Sequence, residues 1–284
     1  MEKIAILVDS AADIDENLAN SLNIYTLPLY VNLDSRYYKD REEISPEEFY
    51  DWVRNNDKMP KTSTASPADA ISLYEKIKED GYDKVLAISL SKGFSGTYNL
   101  LNMTKPDDLE VYVFDSGSLT MAEGFFAIYA KELIEKDFSF NEIIEKLIEK
   151  REASHVYFTI ETFKYLVEGG RVPRTFGKIG DVLTIKPIIT VDSAEGAFKL
   201  LKLARGEKKV LRELRKIAER ELANAKEYYF FISHGGYQEG LEKLEEKLGD
   251  FIVNAKKYFK NEISPTLGAN TGPGLLGIGF FIVD

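Results

Sequence analysis

The stretch KVLAISLSKGFSGTYNL, from Lys84 to Leu100, constrains the fold more than any other part of the chain. Val85 to Ile88 is a short apolar run, long enough for one buried strand. Ser91 to Thr97 is a turn dense in hydroxyls and glycine, and Tyr98 onward reads as a helix start. Strand, Gly/Ser turn and helix, in that order, build ligand sites at the carboxyl ends of strands in open α/β sheets. Glycines let the backbone approach a ligand closely. Free N–H groups at a helix start attract anions. The hydroxyls of Ser91, Ser95 and Thr97 add neutral hydrogen bonds. This chemistry suits a small oxyanion: a carboxylate, a phosphate or an acyl group. The plainer alternative is an ordinary N-cap, with Ser95 or Thr97 serving only the helix.

The turn needs a sheet around it, and the chain supplies one. Lys3 to Val8 is a β-branched apolar run that reads as a buried strand, closed by Asp9-Ser10. A short helix follows over Asp13 to Leu22. Ile24 to Leu33 alternates and contains Pro28, which fits an edge or irregular strand. Ser45-Pro46-Glu47-Glu48 is a capping box opening a helix to about Asn55. Lys61 to Pro67 is a second hydroxyl-rich loop, and Ser66-Pro67 with Asp69 starts the next helix. After the central turn, Glu110 to Phe114 is a strand, and helices are expected over Leu119 to Lys136 and Phe140 to Glu152. Alternating strands and helices predict a mostly parallel sheet with helices on both faces. Asp9 and Asp115 each end a strand. They read as caps, or as groups that orient the hydroxyls of neighbouring loops.

The second half has another rhythm. Val156 to Ile160 is a strand, and Glu161 to Glu168 is one or two helical turns stopped by Gly169-Gly170. A helix is expected around Lys178 to Leu183. Ile185 to Val191 and Ala197 to Leu203 flank the turn Asp192 to Gly196, an antiparallel hairpin signal. Glu207 to Ala225 is a charged helix whose Lys208, Lys209, Arg212, Arg215 and Lys216 read as a solvated face. A strand over Tyr228 to Ile232, a helix over Gln238 to Leu248 and a strand over Phe251 to Lys256 follow. Gly268 to Gly274 is a Gly-rich turn before a closing strand, Gly277 to Val283. The expectation is an α/β protein of two α/β domains, residues 1–152 with a mostly parallel sheet and 153–284 with a mixed one. The 284 residues suit two domains of ordinary size.

Composition removes several function classes. A net charge of −10 argues against nucleic acid and anionic membrane surfaces, both of which favour basic patches. With no cysteine, disulfides, thiolate catalysis and Cys-based zinc are ruled out, and the two histidines, His155 and His234, are too few for a His-rich metal site. No metal or cofactor is expected. The opening MEKIAILVDS has too short an apolar run for a signal peptide. The run from Gly272 to Val283 falls short of the roughly 20 residues of a bilayer span, so a soluble cytoplasmic protein without stable membrane insertion is expected.

Four elements can converge: the loop at Thr62-Ser63, the turn at Ser91 to Thr97, Gly170-Arg171, and the turn at Gly268 to Gly274. Two come from each half, which puts the site in the cleft between domains. Arg171, after two glycines, can pair its fork with a carboxylate or phosphate; a plain surface arginine is the alternative. A Ser-His-Asp triad has only His234 as its base, and no G-x-S-x-G elbow is present. The chain lacks the Lys-Ser/Thr of a phosphate-binding P-loop and a G-x-G-x-x-G turn after its first strand.

The segments ILVDSAADI, KTSTAS, SLSKGFSGTYN, VFDSGS, LVEGGRVPRTFGKIGDVLTIKPIITV, ISHGG and GANTGPGLLGIGFF resemble, in that order and over essentially the full length, the DegV family. The resemblance implies two α/β domains with a long-chain fatty acid between them. Its carboxylate is held by hydroxyls and its acyl chain runs in a tunnel within one domain. It implies a carrier without catalysis of its own, which in bacteria with the partner kinase presents the fatty acid for phosphorylation. By position, Thr62 and Ser95 would hydrogen-bond the carboxylate and Arg171 would supply positive field. Asn270 stands where the family usually has histidine; it can donate a hydrogen bond but carries no proton or charge to the ligand. Ser63, Gly96, Thr97 and Thr271 would support the site. Phe158, Leu166, Ile179, Leu183, Ile185 and Ile188 are candidates for the tunnel wall. An acyl or phosphoryl hydrolase using Ser95, and a sensor of a small anion, are the rival readings.

Overall fold

The computed structural model describes residues 2–172, 185–192 and 195–284. Strand β1 (Ile4–Asp9) is buried along its whole length, as its β-branched run requires. Beside it lie β2 (Ile24–Leu27) and β6 (Lys84–Ser89), with β7 (Glu110–Asp115) outside β6. The order is β2-β1-β6-β7 and every pair is parallel. The chain leaves β1 to one side for β2 and later fills the other side with β6. The switch point of the sheet therefore lies at the carboxyl ends of β1 and β6, where open parallel sheets hold ligands.

Helices α1 (Glu16–Leu22), α3 (Pro67–Glu79) and α4 (Thr97–Met103) cover this sheet, and α2 (Pro46–Asn55) packs farther out. The expected capping box opens α2 at Ser45, the expected helix start at Ser66 opens α3 as a second capping box with Asp69, and a third opens α6 (Phe140–Glu149) at Ser139. The expected strand over 24–33 is two strands in two sheets. Pro28 has no N–H to give, and the Leu29 N–H goes to Ser10 Oγ at 3.1 Å, so the ladder breaks there. Beyond the break, β3 (Tyr30–Leu33) pairs antiparallel with β4 (Arg36–Lys39) and with β5 (Lys61–Ser63). β5 thus turns part of the expected hydroxyl-rich loop into a strand.

The second sheet is mixed, as expected. Its strands are β8 (Ser154–Thr159), β9 (Ile185–Asp192), β10 (Ala197–Arg205), β11 (Tyr228–His234), β12 (Lys257–Glu262) and β13 (Leu276–Ile282). The order is β10-β9-β8-β13-β11-β12, with β11 and β12 parallel and the other pairs antiparallel. The short α7 (Lys164–Glu168) follows β8. Against one face of the sheet lie α8 (Glu207–Glu221) and α9 (Gln238–Lys247), packing Val210, Leu214, Leu241 and Leu244 onto Phe230 and Phe280. Lys208, Arg212 and Lys216 of α8 are exposed, on the solvated face their spacing predicts. The strand expected over 251–256 is instead a helix, α10 (Gly249–Asn254), and the strand begins at Lys257. Tyr228 Oη donates to the Phe251 carbonyl at 2.8 Å and the Phe251 ring stacks on Phe230, which fixes this short apolar run as helical.

The other face of the second sheet meets α5 (Met121–Glu135). Phe125 lies 5.6 Å from the rings of both Tyr229 and Phe231, and Phe126 lies 5.3 Å from Phe281. Because α5 also packs on β1, one continuous core runs from the parallel sheet to the mixed one. The last element is α11 (Pro265–Thr271). A turn is expected from Gly268 on; the turn begins only at Gly272, where φ is +73°. Pro265 at the first helical position starts the helix. Gly268 lies inside it, and the position is glycine because a Cβ there would lie 2.6 Å from Tyr50 Oη.

Candidate functional site

The loop after β6 is held at the switch point by its own sheet. Asp9, wholly buried at the end of β1, accepts hydrogen bonds from the Ala11 and Leu90 N–H groups, each at 3.0 Å. Burial, with Asp40 and Asp13 nearby, pushes the Asp9 carboxyl up to about 7. Asp115 accepts from the Lys92 and Gly117 N–H groups and pairs with Arg151 at 3.0 Å. Both aspartates therefore hold loop backbone. Ser91 is likewise part of the frame: its Oγ accepts from the Gly93 N–H and faces the Gly196 carbonyl at 3.3 Å. That contact joins the turn to the β9–β10 hairpin. Phe94 extends it by stacking on Phe198, with ring centroids 4.3 Å apart.

A cavity of about 380 Å³ opens between these elements. β5 and the residues after it contribute Thr62, Ser63 and Thr64; the turn contributes Lys92 to Gly96; Arg171 follows α7; α11 contributes Thr266, Asn270 and Thr271. The four elements singled out in the sequence thus meet, and Thr62, Ser63, Ser95, Gly96, Arg171, Asn270 and Thr271 all line the cavity. Thr97 does not. It is buried behind Ser95, and the two hydroxyl oxygens are 2.8 Å apart. Gly96 caps α4 without a side chain, so Ser95 keeps its place on the cavity wall while its Oγ also accepts from the Thr97 N–H. The Thr271 hydroxyl donates to the Leu267 carbonyl at 3.0 Å.

Arg171 is half-buried, and burial pushes its guanidinium below its usual value. An arginine stays charged under such a shift. Among the described residues no carboxylate pairs with it; its Nη1 donates to the Gly169 carbonyl. Asn270 donates through Nδ2 to the Thr266 carbonyl at 3.0 Å. Its Oδ1 lies against Gly169, where no side chain could fit. The two glycines before Arg171 thus have different reasons. Gly170 has φ +73° and ends the helix, whereas Gly169 makes room for Asn270.

Sequence reasoning missed Thr266, Phe94, Phe198 and Asn99 on the cavity wall. It also missed the cluster that anchors α11. Asp13 accepts from the Ser264 N–H at 2.8 Å, from the Thr120 hydroxyl at 2.6 Å and from Arg41 at 3.0 Å. Arg41 also donates to the Glu262 carbonyl. The left-handed φ of Asp13, +54°, belongs to a position that local pattern does not reveal.

Leu119, Leu267 and Thr271 also line a small pocket of about 20 Å³, together with Val156, Phe158, Ile263 and Leu275. Of the expected tunnel wall, Phe158 is therefore here and Leu166 is buried in the same core. Ile188 is on the opposite face of the sheet, packed with α8, because its neighbour Ile189 takes the inner face. Ile179, Leu183 and the expected helix over 178–183 lie outside the described residues. His234 is not on the cavity wall. Its Nδ1 accepts from the Tyr237 N–H at 2.9 Å, and burial pushes its pKa down to about 4, so the ring is neutral at pH 7. His155 packs against the Tyr157 and Phe280 rings. A larger hollow, about 650 Å³, opens beside β2. Its described lining sets Glu16, Asp40, Glu42 and Asp80 against Arg41 and Lys76, a poor field for an anion. Among the described residues there is no cluster of metal-binding side chains and no helix long and apolar enough to cross a membrane.

Comparison with known proteins bears on this arrangement. A DegV domain-containing protein of Clostridium acetobutylicum is 37% identical over 283 residues, with 99% of each chain covered. One of Clostridium perfringens is 32% identical, with 98% of each covered. Among solved structures, the DegV lipid-binding protein of Thermotoga maritima superposes with a TM-score of 0.89 at 29% identity, over 100% of this chain and 99% of that one. DegV of Bacillus subtilis, a fatty-acid-binding protein, gives 0.90 at 27% identity, over 99% and 100%. The model of the family described as "Uncharacterised protein, DegV family" matches residues 3–283, and the chain belongs to that family.

Proposed function

We propose that this protein is a carrier of a long-chain fatty acid. The observation that carries the reading is the makeup of one cavity. Hydroxyls, an amide and a single arginine, which no described carboxylate neutralises, face the same space. That space shares Leu119 and Leu267 with a small apolar pocket lined by Val156 and Phe158 of the second sheet. Thr62 and Ser95 donate to the carboxylate, Arg171 supplies the compensating charge and Asn270 adds an amide N–H. Ser63, Gly96, Thr97 and Thr271 shape and brace that head-group site. The acyl chain follows the apolar side toward Phe158, between domains spanning residues 1–152 and 153–284. The solved fatty-acid-binding relatives of Bacillus subtilis and Thermus thermophilus support this ligand class. In a cell with a fatty acid kinase, the carrier presents the carboxylate for phosphorylation.

The apolar term is large. Each buried CH₂ contributes about 0.8 kcal/mol, so a chain of about 16 carbons offers on the order of 10 kcal/mol before ordering costs. The lipid should survive purification. Native mass spectrometry of freshly purified protein, with mass spectrometry of its organic extract, tests this. One fatty acid per chain is expected. A protein that is empty and takes up no added fatty acid overturns the reading.

A further inference from the structure

We propose that the stacked rings of Phe94 and Phe198 form a gate on the acyl path and set how fast a fatty acid enters and leaves; the inference rests on the fatty-acid reading above. Both residues line the cavity, Phe94 from the turn after β6 and Phe198 from β10. Their rings stack with centroids 4.3 Å apart. Phe198 also meets Phe158 edge to face at 5.5 Å, and Phe158 lines the small apolar pocket but not the cavity. The stack thus joins the wall of the cavity to the wall of the apolar pocket. That pocket, at about 20 Å³, has room for about one water-sized group. An acyl chain that follows the apolar side toward Phe158 therefore needs a wall to move.

The two rings are the part of that wall least fixed by the fold. Val156, Phe158, Ile263, Leu267 and Leu275 are buried in the close-packed core, where a shift of one side chain displaces its neighbours. Phe94 and Phe198 are only partly buried. Phe198 is on β10, the edge strand of the mixed sheet, which pairs with β9, and the β9–β10 register shifts between Leu200 and Lys202. Around it on the strand, Lys199, Leu201, Lys202 and Leu203 are exposed. A strand with few buried contacts is where local opening costs least. The fastening beside the rings is light. The Ser91 hydroxyl donates to the Gly196 carbonyl at 3.3 Å, a long hydrogen bond. Gly93 lies against the backbone of Gly196, and a side chain on either would collide, so the hairpin comes close enough to the turn for the rings to stack. Phe94 belongs to the parallel-sheet half and Phe198 to the mixed-sheet half, so parting the stack parts the two halves at this point.

The test uses the full chain stripped of lipid. Titration with hexadecanoate gives Kd, transfer of bound radiolabelled hexadecanoate to excess albumin gives the release rate, and the release rate divided by Kd gives the uptake rate constant. Phe198→Leu and Phe94→Leu each keep apolar bulk and remove the stack, from opposite sides, so the test stands on either variant if the other fails to fold. Each should take up hexadecanoate about three- to ten-fold faster than the unaltered chain, the worth of one aromatic pair. Release should quicken with uptake, so that Kd moves less than either rate. The double variant should take up hexadecanoate within about two-fold of the faster single variant, because one missing ring already opens the gate. An uptake rate constant unchanged in the single variants, with any loss of affinity lying in release, makes the rings plain wall and overturns the inference, as do effects that multiply in the double variant; hexadecanoate binding by the unaltered chain then keeps the carrier reading. Failure of the unaltered chain to bind hexadecanoate overturns both.

Discussion

Asn270 Oδ1 occupies the place where a side chain on Gly169 would stand, so the residue before the Gly170-Arg171 turn and the amide of α11 are fitted to each other. The backbone at Gly169 has φ −68°, which alanine adopts freely. Any cost of Gly169→Ala therefore comes from the collision. That substitution is expected to destabilise the protein by about 1–3 kcal/mol and to weaken fatty-acid binding by displacing Asn270. Adding Asn270→Ala should restore most of the lost stability but not the affinity. A thermal melt and a binding titration on the two single variants and the double variant measure the coupling. Strictly additive effects would mean that the two residues do not meet.

Head-group and chain interactions separate by ligand. Arg171→Ala and Ser95→Ala remove groups proposed to address the carboxylate, and neither residue lines the smaller apolar pocket. A hydrogen bond to a charged group is worth about 1.5–3 kcal/mol, so each variant is expected to lose roughly 10- to 100-fold in affinity for hexadecanoate. The loss for hexadecanol should be several-fold smaller. Competition titrations with the two ligands check this, and equal losses for acid and alcohol would contradict the assigned roles.

The parts of this site that were legible in the sequence are those written in local pattern. β1 shows as a β-branched run and β6 as a short apolar one, the capping box at Ser45 and the helix start at Ser66 mark two helices, and Ser91 to Thr97 shows as a turn after a strand. What was lost depends on partners far along the chain. Leu29 leaves the ladder because Ser10 takes its N–H. Gly268 is helical against Tyr50, although glycine ordinarily signals a turn. Residues 251–256 form an apolar run too short for periodicity to separate strand from helix, and Phe230 and Tyr228 decide it. Asp13 and Ser264 are 251 residues apart, and no window along the chain joins them. Thr97 was placed in the site with Ser95 because their hydroxyls are equivalent on paper; only packing shows which one faces the cavity.

The buried acids give a pH dependence opposite to that of salt-bridged carboxylates. Burial pushes Asp9 up to about 7 and Asp40 up to about 6 from an ordinary value of 3.8. Between pH 4 and 7 the folded chain thus holds protons that the unfolded chain has released, so these groups favour folding less as pH rises. Neutral His234, pushed down to about 4, acts in the other direction between pH 4 and 6.5. Asp9→Asn should lower stability at pH 5, because its amide cannot accept both backbone N–H groups as well as the carboxyl does. It should also make the decline in stability from pH 5 to 7 shallower. Denaturant titrations across that range measure the slope, and a slope unchanged by Asp9→Asn would mean that Asp9 titrates near its ordinary value.

If the carboxylate binds as proposed, residue 270 should set whether its binding responds to pH. With Asn270, the described cavity wall holds no histidine and no carboxylate. Hexadecanoate affinity should therefore be nearly flat from pH 6 to 8. Asn270→His introduces an imidazole beside a bound carboxylate, which favours its charged form. Affinity should then tighten as pH falls through the histidine titration, by at most about ten-fold per pH unit. It should match the unaltered chain at pH 8, where the imidazole is neutral and still donates one hydrogen bond. Fatty acid bound to the same variant should be phosphorylated faster by a fatty acid kinase, because a proton or positive charge at this position can balance charge developing on the acyl phosphate. Dissociation constants at pH 6, 7 and 8 for both proteins are the direct measurement. Parallel profiles would show that residue 270 does not face the carboxylate, and would leave Arg171 and the hydroxyls as the whole of its recognition.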